Sequence, residues 1–90
     1  MSVEINIPPV LQAIINGARR INTNGATIGE CVEDMVQQYP VLKPKLYDKH
    51  RKLRKGTSIF LNGVDMYPNP LSKLVKDGDK IHIANIILGG

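Results

Sequence analysis

Lys80-Ile81-His82-Ile83-Ala84-Asn85-Ile86-Ile87 is rich in β-branched residues and reads as a strand. Asp77-Gly78-Asp79 turns the chain just before it, and after Leu88 the sequence runs into Gly89-Gly90 without a capping pattern. A long apolar strand is best buried in the middle of a sheet. The segment is therefore predicted to lie beside the first strand, with the glycine tail projecting from the sheet.

Working outward, Val3, Ile5 and Ile7 alternate with Ser2, Glu4 and Asn6, the period of a strand with one buried face, and Pro8-Pro9 ends that run. After Leu11 to Ile15, the turn-forming residues Gly17, Asn22, Asn24 and Gly25 bracket a short second strand near Arg19 to Asn22, predicted to form a hairpin with the first. Thr27 followed by Glu30 is a capping-box pattern, in which each side chain can satisfy an amide left unpaired at a helix start. Ile28, Val32, Met35, Val36 and Tyr39 then recur at helical spacing, with Glu33, Asp34, Gln37 and Gln38 on the wet face, until Pro40 stops the helix. Ser58 to Leu61, Asn62-Gly63 and Val64 to Met66 form a hairpin, because Asn-Gly accepts the positive φ angles of a two-residue turn. Leu71, Leu74 and Val75, after the break at Pro68-Asn69-Pro70, allow one helical turn packed on the sheet. The order predicts an α+β fold, one main helix laid across a mixed four- to five-stranded sheet.

A chain of 90 residues holds one modest core, burying about 60 to 65% of the surface its unfolded form exposes. That leaves little room for an enclosed active site with a cofactor, so a binding or carrier role is favoured over a self-sufficient enzyme. The single cysteine, Cys31, excludes an intrachain disulfide framework and a cysteine-based metal site, and suits a reducing compartment, read here as the cytoplasm. Glu4 and Pro8-Pro9 argue against a secretory leader, and no apolar run approaches membrane-spanning length.

A terminal carboxylate is anionic and holds a poor leaving group, so it reacts with nucleophiles only after activation, for example by adenylation. Two glycines suit such an end, since a chain without Cβ atoms can thread a narrow channel and adopt angles closed to other residues. Ordering that tail costs roughly 1 to 2 kcal/mol per residue, so affinity for a partner must come from a separate docking face.

The opening strand Val3 to Ile7, the helix entry Thr27-Ile28-Gly29-Glu30, the hairpin Ile59 to Val64, Lys76-Asp77-Gly78-Asp79-Lys80-Ile81 and the final Gly89-Gly90 together resemble the ubiquitin-like sulfur carriers. These β-grasp proteins serve molybdopterin, thiamine, and cysteine or homocysteine (methionine) synthesis. The resemblance spans the chain and implies a β-grasp domain over 1–88 with a flexible diglycine tail over 89–90. It implies that Gly90 is adenylated by a ubiquitin-activating-type enzyme with ATP, receives sulfur from a donor as a thiocarboxylate, and delivers it to a synthase. No cofactor is bound and no catalytic residue is intrinsic on that pattern. Ala84-Asn85-Ile86-Ile87-Leu88 lacks the prolines many members carry before the diglycine, and Lys43 to Lys55 is longer and more basic than a minimal carrier needs.

Other residues have competing readings. Lys43 to Lys55 carries seven basic residues against one acidic, Asp48, and reads as a short helix plus surface loop. With only Tyr47 as a stacking ring, steering of an acidic partner is favoured over nucleic-acid binding. Cys31, near Glu30 and Glu33, lacks the positive surroundings that activate a thiol and is assigned to packing. His50 and His82 have no metal-ligand spacing. Ile86 and Leu88 are candidate partner-docking residues beside the tail, Leu88 foremost. The alternatives to a sulfur carrier are a modifier conjugated through Gly90, or a basic module binding nucleic acid or protein.

Overall fold

A computed structural model of the chain describes residues 2–84. β1 (Ser2–Asn6) runs into a short helix, α1 (Pro9–Gln12), and a 3-10 turn, Ala13–Ile15, before β2 (Arg20–Asn24). α2 (Ile28–Gln38) is the main helix and α3 (Lys43–Leu46) is a single turn. β3 (Ser58–Leu61) and β4 (Val64–Asp65) follow, then the 3-10 turn Pro70–Ser72 and β5 (Lys80–Ala84). The sheet order is β2-β1-β5-β3-β4. β1 and β5 pair in parallel, and the other neighbours are antiparallel.

The last strand does lie beside the first, as its composition demanded. Ile81 pairs with Ile5 on one side and Leu61 on the other, so β5 has a partner on both edges. Val3, Ile5, Ile21, Ile59, Ile81 and Ile83 point to one face, where Ile28, Cys31, Val32, Met35 and Val36 of α2 cover them. Tyr39, placed on the same stripe by its spacing, is half-buried against this core. Thr23 is buried among these side chains, and its hydroxyl donates to the Val3 carbonyl at 2.8 Å.

Thr27 caps α2, its hydroxyl accepting from the Glu30 amide at 3.1 Å. The reciprocal bond goes one residue further back than in a standard capping box: the Ala26 amide, not that of Thr27, donates to Glu30 Oε1 at 2.8 Å. Thr27→Ala is expected to lower stability by about 1 kcal/mol, checked by urea unfolding against the parent. α2 also protects the edge of the sheet. Gln38 donates to the Asn22 carbonyl at 2.9 Å and Asp34 accepts from the Asn24 amide at 2.8 Å, so two outward-facing groups of β2 are already engaged.

Two expectations shift. β2 spans Arg20–Asn24 rather than Arg19 to Asn22, because the strand extends until its pairing with Ser2 is used up. The final strand is described only to Ala84, and the rest of the predicted stretch to Ile87 lies outside the described residues. Among the described residues, no helix is long and apolar enough to cross a membrane.

Candidate functional site

The last described residue, Ala84, lies in the central strand β5. Ala84 stands opposite Ser58 at the start of β3, and His82 is level with Asn6 at the end of β1, which pairs in turn with Arg20. Gly90 is six residues on from Ala84 in sequence, a contour of at most about 22 Å. Gly89, Gly90, Ile86 and Leu88, the residues singled out for the tail and for docking, lie outside the described residues.

The start of β5 is held by a dense set of bonds. The Asn62-Gly63 turn has φ of 50° and 87°, the left-handed geometry that this pair was expected to adopt. From it the Asn62 side chain donates to Asp79 Oδ1 at 3.0 Å and accepts from the Lys80 amide at 3.0 Å. Asp79 Oδ2 also accepts from the Lys76 amide at 2.9 Å, and Asp77 Oδ1 accepts from the Ser2 amide at 2.8 Å. The Asn62 side chain, followed by the Lys76 amide, holds the Asp79 carboxyl below the usual carboxylate range.

A carboxylate whose pKa is lowered by folding contributes stability above its unfolded pKa, and that contribution is lost as pH falls through the folded value. Asn62→Gly keeps the backbone geometry while removing the side-chain bonds. It is expected to lower Tm by about 4 to 8 °C at neutral pH, the shift one lost contact produces in a domain of this size. The difference from the parent should narrow on acidification below the ordinary aspartate range, as calorimetry across pH would show.

The sheet face turned away from α2 is open. A row of side chains crosses it in register, Arg20, Asn6, His82, Phe60 and Asp65, with Phe60 half-buried at its apolar centre. This row was not singled out from the sequence. The alternation in Lys80–Ala84 and Ser58–Leu61 gives the face of each residue, but only the pairing register brings Phe60 and His82 side by side. His82 is exposed.

Cys31 is fully buried, and burial pushes its thiol pKa up despite a hydrogen bond with Thr23. It packs, and is not poised as a nucleophile. The basic segment is more ordered than a plain surface loop. Asp48 Oδ1 accepts from the amides of His50 at 2.8 Å and Lys52 at 3.1 Å, and Tyr47 bridges to Leu53. Those two amide bonds, the Lys52 one first, hold the Asp48 carboxyl below its ordinary range. Arg54 donates through Nε to the Pro44 carbonyl at 2.7 Å.

A mixed five-stranded sheet of this order with a helix packed across it defines the chain as a ubiquitin-like β-grasp protein. No family model matches the sequence. The sulfur carrier protein CysO of Mycobacterium tuberculosis is 27% identical over 93 aligned residues covering 100% of both chains. The crystal structure of the Amycolatopsis orientalis BexX/CysO complex holds a similar chain, with 28% identity, TM-score 0.83, and coverage of 98% of this chain and 99% of that one. The small archaeal modifier protein 1 of Methanosarcina acetivorans shares the fold, at TM-score 0.85 and 23% identity, covering 99% and 96%. The chain is thus similar over its whole length to CysO, a protein named as a sulfur carrier.

Proposed function

We propose that the chain carries sulfur on the carboxylate of Gly90, with residues 1–88 as the β-grasp domain and 89–90 as the tail. The observation that carries this reading is the full-length similarity to CysO in a chain whose central strand leads toward Gly89-Gly90. A partner of the ubiquitin-activating type supplies ATP. The Gly90 carboxylate attacks the α-phosphorus and pyrophosphate leaves, giving an acyl adenylate. Hydrosulfide then attacks the acyl carbon and AMP leaves with the bonding pair, giving the thiocarboxylate; where the donor is a persulfide, the acyl disulfide formed first is cleaved by a second thiol, which attacks the donor's sulfur, becomes a disulfide with it and releases the thiocarboxylate. A synthase takes that sulfur for an amino acid, cysteine by analogy with the relatives, rather than for molybdopterin or thiamine.

The carrier binds no cofactor itself and supplies no catalytic side chain. Ile86 and Leu88, next to the tail in sequence, are the proposed partner-docking residues. The buried, reduced Cys31 fits a cytoplasmic setting. Adenylation is tested by exchange of radiolabelled pyrophosphate into ATP, which should require both this chain and its activating enzyme. Exchange that proceeds equally without the chain contradicts the proposal. In the modifier reading, exchange would be followed by slow-migrating conjugates to lysine, which a carrier does not form.

A further inference from the structure

On the helix side of the fold, away from the open sheet face, a groove of about 690 Å³ runs between α2, α3 and the loop after α3. Gly29, Pro44, Tyr47 and Leu71 give it an apolar floor, and Lys43, Lys49, Arg51 and Arg54 line it with charge. The floor depends on Gly29, where a Cβ would come within 2.9 Å of the Leu71 carbonyl oxygen, so α2 and the Pro70–Ser72 turn meet backbone to backbone. Glu33 and Asp48 are its only carboxylates among the described residues, and Asp48 is already engaged by loop amides.

Lys43 and Lys49 are exposed and form no ion pair among the described residues, and the same holds for Arg51. Arg51 has a φ of 62°, held inside the loop that Asp48 ties together. The fold thus orders a set of cations around an apolar strip without neutralising them, which lowers the ordering cost of binding an anion there.

We propose that this groove docks an acidic peptide segment of the enzyme that handles the tail, a proposal that rests on the sulfur-carrier reading for the identity of that enzyme. Spaced carboxylates would meet Lys43, Lys49 and Arg51, while apolar side chains between them cover Tyr47 and Leu71. A nucleic acid fits less well. Tyr47 is the one aromatic ring in the lining, and Glu33 opposes a continuous run of phosphates. Because the groove lies in the helical layer, the carrier can be held there while its last residues reach a reaction centre elsewhere on the partner.

The probe is a fluorescein-labelled synthetic peptide of alternating glutamate and leucine, titrated into the full chain and followed by anisotropy and by amide chemical shifts. The expected result is salt-sensitive binding, with shifts at Gly29, Tyr47 to Leu53 and Leu71. The double variant Lys43→Glu, Lys49→Glu should weaken it about tenfold. Arg51→Asn, which tolerates the left-handed backbone, should weaken it more modestly, and provides a second variant if the first misfolds.

Shifts confined to the open sheet face, or no binding, overturn the proposal. Tighter binding of oligouridylate at the same loop replaces it with the nucleic-acid reading. The two proposals separate cleanly. A chain lacking Gly90 should still bind the peptide, whereas the double variant should keep its kcat as a substrate for adenylation and show only a raised KM.

Discussion

Removal of Gly90 is expected to abolish both adenylation and sulfur loading while leaving the melting temperature unchanged. The sheet, α2 and the bonds that anchor β5 are formed by residues from Ser2 to Ala84. The proposed chemistry depends on Gly90 for the reach of the tail. Deletion moves the terminal carboxylate back to Gly89, shortening the reach from Ala84 by about 3.5 Å, a displacement that a positioned acyl transfer does not tolerate. Pyrophosphate exchange and thermal melting on the same sample check the two halves. A truncated chain that is still adenylated would show that the terminal residue is not specifically recognised.

The second large effect is on stability. Ile81→Ala is expected to cost about 2 to 5 kcal/mol, because it removes a fully buried side chain from the central strand and leaves a cavity under α2. Small domains have about 5 to 15 kcal/mol in total, so the substitution removes a large share of the stability and should shift the urea midpoint well below that of the parent. His82→Ala, one residue along and on the open face, is expected to stay within about 0.5 kcal/mol of the parent. Urea denaturation of the pair gives the contrast. Similar losses at both positions would mean that α2 does not cover this face of the sheet as described.

The contrast between Ile81 and His82 shows what alternation alone can reveal. The buried and open faces of β1 were legible from period-two patterning, the central place of β5 from its β-branched composition, the Asn62-Gly63 hairpin from its turn chemistry, and the start of α2 from Thr27 and Glu30. These are local rules. What depended on contacts distant in sequence was not legible: the bond from Asn62 to Asp79, the closure of the β2 edge by Gln38 and Asp34, and the row that joins Phe60 to His82.

The basic segment is the clearest case. Its charge was obvious, and its bias toward steering a partner followed from having Tyr47 as its lone ring. Its ordering around Asp48, and its alignment with Gly29 and Leu71 into one groove, required the fold. For the tail the position is reversed. Gly89-Gly90 gained its meaning from the motifs that precede it, and its proposed chemistry rests on the sequence and on relatives.

The central claim is that sulfur resides on the last residue. Intact mass spectrometry of the chain, after incubation with its activating enzyme, ATP and a sulfur donor, measures this directly, with fragmentation to locate the change. The expected result is a gain equal to one oxygen replaced by sulfur, carried by the fragment containing Gly90. A mass that does not change, or sulfur recovered on Cys31 instead, would contradict it.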